Sequence, residues 1–302
     1  MSLIESALEK LRRGEGGAER PKVPPRTVVV AAPAARATVP VVPLAEEERR
    51  RITVDPSVLR AAGYLPQQGM ERRFADHYRR VKRPLIEKAL VGTSDMRLIV
   101  ISSALPGDGK TFTSVNLALS MARERDISVL LVDADGTRAR ISEVLGIRKE
   151  PGLLDALVDE SLDVESLILG TDVRGLEILP AGRFIENSTE LIASGRMSQI
   201  ALRMTAHSPR RLVLFDSAPL LVSSEARVLM RIPGQIVLVV RAGVTPRRAI
   251  QDAVAQVDRQ KLQGLVVNQV RGVPGEGYYG YGTYGGEPES DARSSERSDR
   301  PA

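Results

Sequence analysis

Ser103-Ala104-Leu105-Pro106-Gly107-Asp108-Gly109-Lys110-Thr111 sits between an apolar run, Arg97–Ser103, and a helical stretch, Lys110–Arg123. A glycine-rich loop that leaves a buried strand and opens a helix is the setting in which backbone N–H groups cradle phosphates. Gly107 and Gly109 allow successive N–H groups to face one anion, and the positive end of the helix adds to them. Lys110 is placed to bridge the outer phosphates of a bound nucleotide, and the Thr111 hydroxyl to ligate Mg²⁺. The strict pattern opens on glycine. Ala104 stands there instead, small enough to fit but with less freedom at positive φ.

Two further runs end in carboxylates. Ser128-Val-Leu-Leu-Val-Asp133-Ala-Asp135 and Leu212-Val-Leu-Phe-Asp216-Ser-Ala-Pro219 both read as buried strands with acidic C-terminal ends. In a parallel sheet those ends line the ligand crevice. Carboxylates delivered there beside a phosphate loop suit Mg²⁺ and in-line phosphoryl transfer. Asp216 reads as a direct or indirect Mg²⁺ partner. Asp133 and Asp135 divide between metal contact and activation of an attacking hydroxyl.

The same alternation extends outward. Arg97–Ser103, Ser128–Asp133, Leu176–Pro180, Arg211–Asp216, Gln235–Arg241 and Gly264–Asn268 are expected strands, apolar throughout as strands buried on both faces are. Lys110–Arg123, Asn187–His207, Ser223–Arg231 and Thr245–Lys261 are the expected helices between them. The alternation therefore predicts an α/β fold, a mostly parallel sheet with helices on both faces, and with its glycine loop the chain resembles the P-loop NTPases of the deviant-Walker, MinD/ParA-like class.

The flanks differ. Residues 1–13 read as a short amphipathic helix and 14–46 as a Pro/Ala/Arg-rich linker. Residues 71–90 form a basic helix in which Pro84 is expected to cap or kink, and 91–271 the nucleotide-binding domain. Residues 272–302 are Gly/Tyr-rich and then charged, and are expected to be disordered. The chain has no cysteine, which excludes disulfides and thiolate metal sites and fits a cytoplasmic protein. No apolar run is free of prolines and charges long enough to span a bilayer. A net charge of +5 is a mild excess that says little about partners, and no nucleic acid is expected among them.

On Ser103–Thr111 (Walker A), Val129–Asp135 (Walker A′) and Leu212–Pro219 (Walker B) the chain resembles the bacterial tyrosine kinases that regulate capsule and exopolysaccharide export. It looks closest to their exosortase-A-associated autokinase branch, and the resemblance also takes in Met1–Leu11. It implies ATP and Mg²⁺ as cofactors. The nucleotide contacts are Gly107, Asp108, Gly109, Lys110, Thr111 and Phe112, with Asn268 at the adenine. Thr111, Asp135 and Asp216 are at the metal. Lys110, Asp133, Asp135 and Asp216 are the implied catalytic set. It also implies a ring-like homo-oligomer joined through Asp76, Arg79 and Lys82, which stand at three-residue steps on the basic helix. A transmembrane polysaccharide co-polymerase is the implied activator, holding the chain at the inner face of the membrane, and a cognate tyrosine phosphatase is implied as a partner. Two features depart from the pattern: Ala218-Pro219 in place of Pro-Pro, and Gly136-Thr137-Arg138 after Asp135.

Of six tyrosines, four cluster in Tyr278-Tyr279-Gly280-Tyr281-Gly282-Thr283-Tyr284. A phenol with a pKa near 10 attacks phosphorus only when a positioned carboxylate takes its proton. The cluster is the expected site of autophosphorylation. Two other readings compete. One is a switch ATPase of the MinD/ParA kind, which would carry a lysine where Leu105 stands. The other is a catalytically weak ATP-binding adaptor.

Overall fold

The computed structural model describes residues 50–270. The expected N-terminal helix, the linker and the tyrosine cluster lie outside them.

Eight strands form one sheet in these residues: β1 (Arg51–Ile52), β2 (Leu98–Ser103), β3 (Ser128–Ala134), β4 (Leu169–Thr171), β5 (Leu176–Leu179), β6 (Arg211–Ser217), β7 (Gln235–Arg241) and β8 (Leu262–Asn268). Their order is β1-β4-β5-β3-β6-β2-β7-β8, and every neighbouring pair is parallel except β4 with β5. The helices are α1 (Pro56–Ala61), α2 (Glu71–Val91), α3 (Lys110–Met121), α4 (Arg140–Val144), α5 (Leu153–Val158), α6 (Ser188–Ala193), α7 (Gly195–Ala206), α8 (Ser224–Leu229) and α9 (Arg247–Ala255).

The central strands show why the sheet forms. Their side chains alternate between two apolar layers at the strand period of two. Leu98, Val100, Leu130, Val132, Val213 and Phe215 enter the layer that α5, α7 and α8 cover. Ile99, Ile101, Val129, Leu131, Leu212 and Leu214 enter the layer under α2 and α3. Both layers are needed, because a parallel sheet has no solvated face. Truncating a residue such as the fully buried Phe215 to alanine should cost about 3–5 kcal/mol.

Several expectations are corrected. The stretch Asn187–His207 is two helices, because Ser194 takes an extended conformation between them and turns its hydroxyl onto the Leu191 carbonyl at 2.6 Å. The helix expected over Thr245–Lys261 ends at Ala255, where a turn leads into β8. That last strand is not buried on both faces. It lies at the sheet edge with Leu265 and Val267 about half exposed. The strands β1 and β4 were not anticipated, being too short to carry a periodic signal. α2 runs through Pro84 without ending.

α2 also corrects the interface residues. Asp76 and Arg79 pair at 2.9 Å on its exposed face. Lys82 does not join them, because six residues along a helix rotate a side chain about 120° away. It is buried instead, donating to the Ser120 carbonyl at 2.6 Å and pairing with Glu124 at 2.7 Å, and so ties α2 to the end of α3.

Candidate nucleotide and catalytic site

The loop between β2 and α3 has the conformation its glycines predict. Gly107 and Gly109 adopt φ of 88° and 98°, in the left-handed region open to glycine. A side chain at Gly109 would also strike Asn268, whose Nδ2 lies 1.9 Å from the position of the missing Cβ. Ala104 is buried and keeps a negative φ, so the substitution of alanine for glycine there forces no strain. The Asp108 side chain serves the loop itself. One oxygen accepts from the Leu105 N–H at 3.0 Å and the other from the Thr245 hydroxyl at 2.6 Å. Both side-chain oxygens are thereby engaged within the protein. Asn268 closes the loop from β8, donating to the Asp108 carbonyl at 3.0 Å.

Lys110 and Thr111 open α3, whose first N–H groups have no acceptor within the helix. The Lys110 ammonium is largely buried and donates to Asp135 Oδ2 at 2.9 Å. Burial alone would push its pKa down, but Asp216, Asp135 and Asp133 together outweigh that and hold it above the usual lysine range.

The three aspartates arrive on adjacent strands. β3 and β6 pair so that Asp133 and Asp216 stand side by side. Ser142, at the start of α4, fixes Asp133 with its N–H and its hydroxyl, both at 2.8 Å to Oδ2. Ser114, one turn into α3, donates to Asp216 Oδ1 at 2.9 Å. Burial, then the neighbouring Asp216 charge, push the Asp133 carboxyl up to about 7 against the pull of Ser142. Asp216 is raised too, by burial first, although Lys110, Thr111 and Ser114 oppose the shift. Asp133 Oδ1 and Asp216 Oδ2 are buried with no hydrogen-bond partner. Such groups are costly unless a ligand completes them.

These observations fit a nucleotide with its Mg²⁺. Among the described residues no group of three or more His, Asp or Glu side chains is arranged to hold a metal ion by itself. Mg²⁺ bound to nucleotide phosphates needs only one or two protein carboxylates, and Asp216 has a free oxygen to offer.

The loop opens onto a cleft of about 920 Å³. Lys110, Thr111, Phe112 and Asn268 line it, and Phe112 stacks edge-on with Phe74 at 5.8 Å. The sequence reading missed Tyr64, Phe74, His77, Arg138 and Arg140 in the same wall. Tyr64, Phe74 and His77 carry no local mark, since α2 and the loop before it reach the site only through tertiary packing, whereas Arg138 and Arg140 follow the Asp133–Asp135 strand end and were legible from that position. Ser114 was legible in principle, because it lies one helical turn beyond Lys110 and so on the same side of α3.

A glycine cradle, a buried lysine and strand-end aspartates on a parallel sheet define a P-loop nucleotide-binding protein. A family described as AAA domain matches residues 96–260, more than half of the chain. The tyrosine-protein kinase YwqD of Bacillus subtilis is 30% identical over 212 residues, which cover 69% of this chain and 86% of that protein. The EpsB protein of Ralstonia nicotianae is 31% identical over 192 residues, covering 63% of this chain, and the chain spans about a quarter of EpsB's length. The kinase domain of the Escherichia coli tyrosine kinase ETK superimposes with a TM-score of 0.55 at 27% identity, covering 63% of this chain and 74% of that one. The chain belongs to the AAA domain family and, within it, to the bacterial tyrosine-protein kinases.

Proposed function

We propose that the protein is an ATP-dependent protein-tyrosine kinase that phosphorylates its own tyrosine cluster, Tyr278, Tyr279, Tyr281 and Tyr284, and thereby regulates exopolysaccharide export. The observation that carries this reading is the pair of unpartnered carboxylate oxygens, Asp133 Oδ1 and Asp216 Oδ2, buried side by side next to the P-loop lysine. A site that only held phosphate would not gather carboxylates. One that must hold the cation that neutralises phosphate charge, and also remove a proton from an incoming phenol, would.

In this reading the N–H groups of Gly107 to Thr111 hold the phosphates, and Lys110 leaves Asp135 to contact the phosphoryl group in transit. Thr111 and Asp216, with Asp135, hold Mg²⁺, which when bound neutralises phosphate charge. Asp133, anchored by Ser142, takes the phenolic proton. A bond forms between the tyrosine oxygen and the γ-phosphorus as the bond to the β–γ bridging oxygen breaks, and ADP leaves. Phe112 and Asn268 are assigned to the nucleotide.

Self-association is assigned to the exposed Asp76–Arg79 face of α2, without Lys82. The activator is a transmembrane polysaccharide co-polymerase that holds this cytoplasmic chain at the membrane, and a tyrosine phosphatase reverses the modification. Met1–Leu11 supports placement in the exosortase-A-associated branch. Among the described residues no helix is long and apolar enough to cross a membrane.

The test is incubation of the purified chain with γ-labelled ATP and Mg²⁺, followed by phosphoamino-acid analysis. Label on tyrosine supports the kinase. Label released only as inorganic phosphate supports a switch ATPase, and no turnover at all an adaptor.

A further inference from the structure

A second cleft, of about 1080 Å³, opens beside the first and shares Phe74 and Tyr78 with it. It runs between α1, α2 and the C-terminal end of α3, down to the beginnings of β3, β5 and β6. Arg60, Arg72, Arg123, Arg125, Arg174 and Arg210 line it. The acidic residues there are Glu71, Glu124 and Asp126, and each is already matched: Glu71 to Arg60 at 3.5 Å, Asp126 to Arg210 at 3.4 Å, and Glu124 to Lys82 at 2.7 Å. Arg72, Arg123, Arg125 and Arg174 are exposed and make no ion pair among the described residues. Below this rim the floor is apolar, with Leu65, Phe74, Leu119 and Val173. An arginine rim over an apolar floor suits a ligand whose anionic group is carried on an aromatic ring.

We propose that this cleft is a docking site for the phosphorylated Tyr278–Tyr284 segment of the protein. Each phosphotyrosine would lay its ring on the floor and its phosphate against the arginines. The inference rests on the kinase reading, because the segment carries no phosphate otherwise. Charge supports the match: four phosphotyrosines bring roughly −6 to −8 against the unmatched guanidinium groups, whereas the unmodified segment brings only the charge of its phenols, which is nil at neutral pH. Chain length supports it as well. Val270 lines the nucleotide cleft, and the eight residue steps from there to Tyr278 span up to roughly 28 Å. Phosphorylated tyrosines would thus be withdrawn from the nucleotide cleft to its neighbour, clearing the site for the next acceptor. A duplex nucleic acid is less well served, since a concave apolar floor offers nothing to a phosphate backbone.

The experiment uses the phosphatase-treated full chain without ATP and a fluorescein-labelled synthetic peptide of residues 276–286, with all four tyrosines phosphorylated or none. Fluorescence anisotropy should show the phosphopeptide binding at least about thirtyfold more tightly than the plain peptide. Arg123→Ala and Arg174→Ala should each weaken it about tenfold, Arg174→Lys should recover part of the loss, and nucleotide affinity should not change. Equal binding of both peptides, or indifference to the arginine substitutions, would overturn the proposal. So would a random DNA duplex that displaces the phosphopeptide at the same phosphate concentration. Because the peptide is made chemically, the outcome does not depend on catalysis. A chain that binds it but never labels its own tyrosines overturns the kinase reading alone, and one that labels them but does not bind overturns only the docking site.

Discussion

The strand β6 carries a buried charge at each end, and the two ends differ in how that charge is balanced. At its start Arg211 meets two glutamates. One guanidinium nitrogen donates to both Glu165 oxygens, at 2.7 and 3.0 Å, and to the Met204 carbonyl at 3.3 Å, while the other pairs with Glu177 at 2.9 Å. His207 Nδ1 stands 3.4 Å from Glu165. At the far end Asp216 joins Asp133 and Asp135 around the single ammonium of Lys110, with two carboxylate oxygens left over. Both clusters are removed from water, so solvent cannot explain the difference. In the first, opposite charges face one another and, of the Arg211 nitrogens, only Nε is left without a hydrogen-bond partner, so the network is balanced in charge and fixes where α7, β5 and β6 meet. The second is unfinished in the protein alone, which is the condition of a site completed by its substrate.

If that contrast is correct, substitutions at the two ends should fail in different assays. The largest effect belongs to Lys110→Met, which should lower tyrosine phosphorylation by about 10³-fold or more, since a neutral side chain cannot stabilise charge on the moving phosphoryl group. Its circular dichroism should still report the parental fold, although the melting temperature should fall because three buried carboxylates lose their one cation. Phosphorylation at the parental rate would remove the lysine from the site.

Arg211→Met should do the reverse. Removing one partner of a buried ion network costs about 3 kcal/mol, or roughly 6–12 °C in melting temperature for a domain of this size. Nucleotide binding at low temperature should survive. A variant that melts like the parent but loses nucleotide would mean the two ends are not separable.

The smallest effect is a gain. Asp133→Asn removes a buried charge that has too few partners, and should raise the melting temperature of the nucleotide-free protein by roughly 2–4 °C, on the order of 1 kcal/mol. The sign follows from proton uptake. The folded carboxyl keeps its proton up to about 7 while the unfolded chain releases it near 3.8, so this group's contribution to stability is lost as pH rises from about 4 through 7. The gain should therefore be larger at pH 8 than at pH 5. Differential scanning calorimetry at both values checks it, and a loss of stability at pH 8 would show that the charge is compensated.

Much of this arrangement was legible in the chain. β2, β3, β6 and β7 announce themselves because strands buried on both faces must be apolar throughout, and the loop Ser103–Thr111 declares its conformation through Gly107 and Gly109. The three aspartates could be placed because strand ends in a parallel sheet share one crevice. What local sequence does not encode is what supports them. Ser142 holds Asp133 from nine residues away, and nothing in its surroundings distinguishes it from other serines. Lys82 misled because three-residue spacing reads as one face over a single step and drifts off it over two. β1 and β4 were invisible, since two or three residues carry no period. The arginine rim of the second cleft, likewise, is assembled from five separate stretches of chain.

The central claim is that the unfinished end of β6 moves a phosphoryl group onto tyrosine. The direct measurement is mass-spectrometric mapping of phosphotyrosine in the full chain and in Asp133→Asn after incubation with ATP and Mg²⁺, alongside nucleotide affinity by calorimetry. The expected result is phosphate on Tyr278, Tyr279, Tyr281 and Tyr284 of the parent and none on the variant, with nucleotide affinity within about threefold. Inorganic phosphate without phosphotyrosine in the parent, or tail phosphorylation in Asp133→Asn at the parental rate, would contradict it.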